Sequence, residues 1–360
     1  MAKRHLAQTS KQGAGQYYTT VADRILERYT PIVQRKSVTD PFAGRGDLLT
    51  WALANGATKT QGYDLHPQSP YIAQRDTLLD PPSYANQIVV TNPPYLHRNK
   101  CRQGSYEPYD KWEQDDLYKC FLATLAPFDC DQAIVVVPTN FLCEARSSAR
   151  ETVFSNYFVE AATYWEEPIF EDATTGVCTL HLIRGQRVCQ TFPMILCPSG
   201  EVLTMDLHPE NDYLHGNAFF DYLRGHVPAH PLQITKVDVG MPPPNTKLVA
   251  GLADDGKWPW GLSYNEGADY YCEPKAFFTY QLHLTNAPAL SSDDQRKIAA
   301  LFQERLWEFR HRYHGMFIAN YMGARQRLLS RGYVARLLQA VMVELNLVAR
   351  EATPILDLFG

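Results

Sequence analysis

Short, continuous apolar runs alternate with helical stretches between residues 15 and about 190. Ile88-Val89-Val90 is one such run and Ala133 to Val137 another, while Val38 to Asp40 and Val177 to Ile183, which carry polar residues, read as further strands. Runs this short and unbroken predict strands covered on both faces, as in a parallel sheet. Helical spacing lies between them, at Val21 to Tyr29 with Ile25 and Leu26 apolar, at Asp47 to Ala54, and at Asp116 to Leu122. That alternation predicts an α/β fold with a doubly wound parallel sheet. From about 190 to 290 the rhythm lapses into Pro, Gly, Asn and Asp, with a break at Met241-Pro242-Pro243-Pro244-Asn245. The pattern there assigns no topology. From 291 to 350 it turns helical, with Ser291 or Ser292 before Asp293 as a start signal and Leu337, Leu338, Val341 and Leu345 as an apolar face. The expected organisation is a loose polar start at 1–14, an α/β domain at 15–190, and a mixed, partly helical region at 191–360.

Composition narrows the class. An apolar fraction of 45% over 360 residues supplies a core for one large domain and a smaller one. No apolar run approaches a membrane span. Met-Ala-Lys-Arg-His has no apolar stretch behind it and does not read as a secretory signal, so a cytoplasmic location is expected. None of the eight cysteines forms a Cys-x-x-Cys pair and no His cluster has zinc-finger spacing, so reduced cysteines and no metal are expected. The net charge of −5 opposes a nucleic-acid ligand, but it is unevenly spread. Nine Lys/Arg and two Glu lie between Arg296 and Arg336. Arg310, Arg312, Arg325, Arg327 and Arg331 there, and Arg98, Lys100 and Arg102 earlier, are candidate phosphate contacts. The opposing reading is a solvated helix face paired with acidic neighbours.

The candidate chemistry begins where the Ile88 strand ends, at Asn92-Pro93-Pro94-Tyr95. Ligands of open α/β sheets bind at the carboxyl ends of strands. Two prolines fix φ and remove two N–H donors, which leaves a stiff turn with carbonyls free to accept. Asn92 adds a side-chain oxygen and Tyr95 a flat ring. Acceptors on a rigid turn beside a stacking face suit the holding of a planar amino group.

Upstream, Val38 to Leu49 reads as a strand ending in Asp40, a glycine turn and a helix. Gly44 and Gly46 let backbone approach a ligand closely. Asp64 lies eighteen residues past Gly46, where the second strand should end, and is placed to accept from ribose hydroxyls. Thr19 or Thr20 reads as the N-cap of the Val21 helix, whose free N–H groups favour a carboxylate.

These pieces together resemble the adenine-N6 DNA methyltransferases of the γ arrangement, which use S-adenosylmethionine (SAM). The resemblance rests on Gly15-Gln16-Tyr17-Tyr18-Thr19, on Asp40-Pro41-Phe42-Ala43-Gly44-Arg45-Gly46, and on Asn92 to Tyr95, in that order. It covers roughly residues 14 to 185. Thr20 stands where the family usually has Pro. The resemblance implies a Rossmann-like SAM-binding domain followed by a target-recognition region. It implies SAM contacts at Tyr17, Thr19, Asp40, Phe42, Ala43, Gly44, Gly46, Asp64, Leu65, Asp76 and Asn92. Asp76, in Arg75-Asp76-Thr77-Leu78-Leu79, resembles the acceptor for the exocyclic amine of the cofactor adenine. Asn92, Pro93, Pro94 and Tyr95 take the catalytic places. Tyr95 and Phe170 take those that stack on an extruded base, although Phe170 reads equally as core. The implied partner is double-stranded DNA, with or without a cognate restriction endonuclease.

Competing readings keep the chemistry or discard it. Cytosine N4, an RNA adenine or a protein glutamine present the same planar amine. A non-catalytic nucleic-acid-binding subunit is a reading from another class, against which the intact Asn92 to Tyr95, Gly44 and Asp64 stand. C5-cytosine methyltransferases are disfavoured because no Pro-Cys dipeptide occurs. A fused nuclease lacks a convincing acidic cluster.

Overall fold

Five parallel strands form the heart of the sheet: β1 (Ser37–Asp40), β2 (Lys59–Asp64), β3 (Ile72–Gln74), β4 (Ile88–Thr91) and β5 (Gln132–Pro138). They lie in the order β3-β2-β1-β4-β5, so the winding reverses between β1 and β4. Crevices at such a reversal are the ligand sites of doubly wound sheets. All four residues of β4 are buried, as the run Ile-Val-Val-Thr requires of a central strand. The structure, a computed structural model, describes residues 21–101, 107–144, 147–170, 176–237, 244–254, 260–267, 279–314, 319–321 and 327–351.

Beyond β5 the sheet becomes mixed. β6 (Tyr157–Trp165) and β7 (Val177–Arg184) form an antiparallel pair, and β7 lies between β5 and β6. β8 (Gln190–Cys197) then runs parallel to β6, and β9 (Val202–Leu207) closes the nine-stranded sheet antiparallel to β8. The first compact unit therefore extends through Tyr213, past residue 190 where the apolar rhythm ends. The reason is local. β8 alternates buried and more exposed positions, the signature of a strand covered on one face rather than of a continuous apolar run.

The helices of this unit are short. α1 (Ala22–Leu26) passes into single turns at Glu27–Tyr29 and Thr30–Val33, where Pro31 opens the last. The expected helix from Val21 to Tyr29 is thus broken into pieces. The Tyr29 hydroxyl fixes the middle piece to the sheet, donating to the Thr179 carbonyl at 3.1 Å. α2 (Asp47–Ala54), α3 (Leu117–Thr124) and α4 (Ser148–Phe154) follow β1, β4 and β5. Arg150 of α4 is wholly buried, and donates from Nε to the Asp212 carbonyl and from Nη1 to that of Phe141, both at 3.0 Å.

The second unit begins at Leu214 apart from a few earlier residues. The region without a legible rhythm holds α5 (Asn217–Gly225) and an antiparallel sheet in the order β10-β13-β11-β12. Its strands are β10 (Gln233–Lys236), β11 (Leu248–Gly251), β12 (Gly261–Tyr264) and β13 (Thr279–Thr285). α6 (Ser292–Arg312) starts with a capping box in which Ser291 Oγ accepts from the Asp294 N–H at 3.1 Å. Gly261 sits with φ at +110°, where a Cβ would collide with the Gln303 side chain and stand 2.7 Å from Leu306. A glycine is thus required for α6 to lie on the sheet. A ribbon of β14 (Ala319–Tyr321) and β15 (Arg327–Leu329) separates α6 from α7 (Arg331–Glu344), so the expected helical stretch from 291 to 350 is two helices and a ribbon. Phe219, Phe302, Leu306, Leu337 and Val341 form the core of this unit.

Candidate active site

The glycine turn after β1 is held from below by two carboxylates. Asp40 is 1% exposed, and its Oδ1 accepts from the Phe42 N–H at 3.0 Å and from the Thr91 hydroxyl at 2.6 Å. Burial pushes its carboxyl up to about 7. Asp64, at the end of β2, accepts from the Gly44 N–H at 2.8 Å through Oδ2 and from the His66 N–H at 2.8 Å through Oδ1. A carboxylate has about four acceptor sites, so roughly two remain for a ligand's hydroxyls. The turn needs its glycines: Gly44 has φ at +51° and Gly46, the N-cap of α2, at +90°. At Gly62 a Cβ would stand 2.7 Å from Leu49 and 3.0 Å from Ala43, so this glycine lets the turn close on β2.

The loop after β3 joins the same group. Asp76 Oδ1 accepts from the N–H groups of Leu78 and Leu79, both at 3.1 Å, which rounds the chain over its own carboxylate. Thr77 Oγ1 donates to the Pro41 carbonyl at 2.8 Å and ties this loop to the glycine turn. Phe42 packs edge-on against Phe121 of α3, with ring centres 5.2 Å apart. Ala43 is buried, and Leu65 is 42% exposed beside Asp64.

The Asn92–Tyr95 turn leaves β4 next to Asp40, and a carboxylate holds it at each end, the buried Asp40 on one side and the half-buried Asp116 on the other. Thr91 binds Asp40, as above. On the far side, the Leu96 N–H donates to Asp116 Oδ1 at 3.1 Å. Burial pushes the Asp116 carboxyl up to about 7, against the nearby Lys119. Asn92 is 9% exposed. The Tyr95 hydroxyl touches Asn92 Oδ1 and lies 2.9 Å from the Val136 carbonyl of β5. The Tyr95 ring meets Tyr118 edge-on at 6.0 Å and Phe170 at 6.3 Å. Phe170, 5% exposed, is a core residue that packs beside the turn.

Three participants carry no signal of their own in the sequence. Asp116 announces itself only as an acidic residue just before α3. Trp112 Nε1 donates to the Leu78 carbonyl at 2.8 Å, and Lys111 Nζ to that of Leu79 at 2.5 Å. The segment after the Asn92–Tyr95 turn thereby grips the loop that carries Asp76. Nothing local marks these bonds, because their partners lie more than thirty residues away.

The basic candidates scatter. Arg98 pairs with Asp110 at 2.7 Å, and Lys100 is exposed. In the second unit, Arg296 pairs with Glu266, Lys297 with Asp293, Arg305 with Glu344 and Arg310 with Asp254. These four carboxylates all lie outside the stretch whose sequence shows the positive excess. Arg310 is engaged most fully, with its guanidinium 4.5 Å from the Trp260 ring and 4.6 Å from that of Trp307. Arg312 lies against Tyr313 and Arg331 against Tyr280. Tyr17, Thr19, Arg102 and Arg325 lie outside the described residues, as does the side chain of Arg327. No helix among the described residues is long and apolar enough to cross a membrane.

No family model matches the chain, and no curated protein matches it. Solved structures do. A protein assigned as the modification subunit of a type I restriction enzyme from Vibrio vulnificus is 18% identical over 55% of this chain and 51% of its own, with a TM-score of 0.40. The methyltransferase subunit of a type I restriction-modification system from Streptococcus thermophilus is 17% identical over 50% and 47%, with a TM-score of 0.37. A protein assigned as an RNA methyltransferase from Pyrococcus horikoshii is 16% identical over 48% and 89%, with a TM-score of 0.34. The matched part spans about half the length of the two restriction-modification proteins.

Proposed function

We propose that the chain is a SAM-dependent methyltransferase acting on the N6 amino group of an adenine extruded from double-stranded DNA. One observation carries the reading. A rigid Asn-Pro-Pro-Tyr turn stands at the carboxyl end of β4, hydrogen-bonded through Thr91 to the Asp40 that anchors the neighbouring glycine turn. The residues present fit SAM. Asp64 and Asp76 are acceptors on consecutive strand ends, and Gly44 and Gly46 provide a backbone that a ligand can approach closely. SAM, when bound, supplies an electrophilic sulfonium methyl.

The chain's own residues do the rest by positioning. Adenine N6 is a poor nucleophile because its lone pair is delocalised into the ring. Asn92 Oδ1 and the Pro93 carbonyl would accept from its two hydrogens and draw the nitrogen towards sp3 geometry. Fixing the amine this way, out of bulk water, contributes several kcal/mol to lowering a transfer barrier. Extruding a base costs a few kcal/mol, and stacking on Tyr95 offsets roughly 1–3 kcal/mol of that. Tyr118 and Phe170 pack against the Tyr95 ring and restrict its orientation.

Incubation with methyl-labelled SAM and duplex DNA, RNA or protein, followed by nucleoside and amino-acid analysis, tests the proposal. Labelled N6-methyladenine from DNA is the expected product. Label in cytosine, RNA or glutamine would move the substrate to a competing amine. Tight SAM binding with no transfer to any of them would favour the non-catalytic reading.

A further inference from the structure

Opposite the catalytic turn, the sheet carries a second cluster of reactive side chains. β8 runs in the same direction as β4, so the start of β8 lies at the sheet edge remote from Asn92. The β8–β9 register pairs Gln190 with Leu207 and Thr191 with Asp206. The next position outward places Cys189 across from His208. Cys189 Sγ lies 3.2 Å from His208 Nδ1, and His208 Nε2 lies 3.1 Å from Asp206 Oδ1. Thr191 Oγ1 donates to that same Asp206 oxygen at 3.1 Å and fixes the carboxylate. Glu210 Oε1 stands 3.4 Å from His208 Nδ1.

We propose that Cys189, His208 and Asp206 form a base-assisted nucleophilic thiol, a modification site for soft electrophiles and for hydroperoxides in particular. The arrangement is nucleophile, base and base-orienting group, each within hydrogen-bond reach of the next. Asp206 accepts Nε2–H, which leaves the Nδ1 lone pair facing the thiol. Asp206 and Glu210 both contact the ring that would take the thiol proton. The three groups are reachable: Cys189 is half-buried and the His208 side chain is 27% exposed.

The reaction with a hydroperoxide balances without another reagent. The thiol proton passes to His208 Nδ1, and the sulfur attacks the near peroxide oxygen. The O–O bond breaks, and the departing oxygen takes the proton from His208. Sulfur is oxidised to a sulfenic acid while the peroxide is reduced to water or an alcohol. Cys101 and Cys197 are exposed to a similar degree and form no imidazole contact among the described residues, so they serve as internal controls.

The full chain is pulsed with iodoacetamide at pH 7 and each cysteine is quantified by peptide mass spectrometry. Hydrogen peroxide with a 1,3-dicarbonyl sulfenate trap forms a second arm. Cys189 is expected to label about tenfold faster than Cys101 and Cys197 and to carry the trapped adduct. His208→Asn should bring it down to their rate, and Asp206→Asn should slow it several-fold. Unchanged rates at Cys101 and Cys197 in these variants report an intact fold. A Cys189 no faster than the two controls in the wild type overturns the proposal, as does a rate untouched by His208→Asn. Either result would make the contact an ordinary hydrogen bond closing an edge hairpin.

Discussion

The Thr91 hydroxyl donates to Asp40 Oδ1 at 2.6 Å across the point where the sheet reverses its winding. Asp40 titrates near 7 in the folded chain because burial disfavours its charge, against about 3.8 when exposed. Between those values the native state holds a proton that the unfolded state has released. The stability from this group is therefore complete below about pH 4 and is lost as pH rises through 7. Asp116 acts with the same sign. Asp40→Asn keeps an acceptor for Thr91 and removes the titration. A tenfold difference in proton affinity between the folded and unfolded chain corresponds to ~1.4 kcal/mol, so the effect is up to a few kcal/mol. Denaturant melts at pH 5 and pH 8 should show a smaller loss of stability in the variant than in the wild type. Equal losses would mean that Asp40 is not protonated in the native chain.

On the proposed function Asn92 orients the amine and Tyr95 stacks on the base, and their variants should separate the two roles. Asn92→Ala removes an amine acceptor and is expected to lower turnover at least 100-fold, as loss of a positioned polar group does, with SAM affinity nearly kept. Tyr95→Phe removes only the hydroxyl that rests on Asn92 Oδ1 and keeps the ring. It should retain most of the turnover, whereas Tyr95→Ala should weaken substrate binding by the stacking loss of roughly 1–3 kcal/mol. Near-normal turnover in Asn92→Ala would remove Asn92 from the chemistry.

Trp112 couples the two halves of the site. Its Nε1–H holds the Leu78 carbonyl at 2.8 Å, and the Leu78 N–H binds Asp76. Trp112→Phe keeps the ring against Phe128 and deletes one donor. A hydrogen bond of net worth about 0.5–1.5 kcal/mol predicts a several-fold weaker SAM Kd, read by calorimetry. Turnover at saturating SAM should hardly move. An unchanged Kd would make the strap irrelevant to the Asp76 loop.

What was legible in the sequence follows from the range of the interactions. Asp40 and Asp64 each end a strand and Asn92 follows one, and a strand end is marked by its own neighbours, so the first unit's order and candidate site could be read from short segments. The anchoring of the turn could not, because Asp40 reaches Thr91 across 51 residues. β8 escaped for a different reason: its alternation of buried and exposed positions differs from the continuous runs that precede it. The Cys189–His208 pair needed the hairpin register before it could be seen. The pairing of the second unit's positive charges could not be read by counting along the stretch, since Glu266, Glu344 and Asp254 arrive from elsewhere in the chain.

Arg310 and Arg312 test that last point directly, because they stand two residues apart with different surroundings. Arg310 is bound to Asp254 at 2.5 Å and packed between Trp260 and Trp307, with side chains of the pair 20% and 29% exposed. Arg310→Gln strands a partly buried carboxylate and loosens two indoles. It should cost the second unit about 1–3 kcal/mol, less than a fully buried pair would, and leave the salt dependence of DNA binding unchanged. Arg312 is exposed and lies over Tyr313 at 5.5 Å. If it contacts phosphate, Arg312→Gln should leave the melting curve in place, weaken DNA binding evenly across sequences, and flatten the salt slope by about one counterion. Thermal melts and duplex affinities at several salt concentrations read both effects. A flattened slope in Arg310→Gln would show that the Trp-lined arginine releases Asp254 and takes phosphate instead. An unchanged slope in Arg312→Gln would shift the search for the backbone contact to Lys100, shortly after the Asn92–Tyr95 turn.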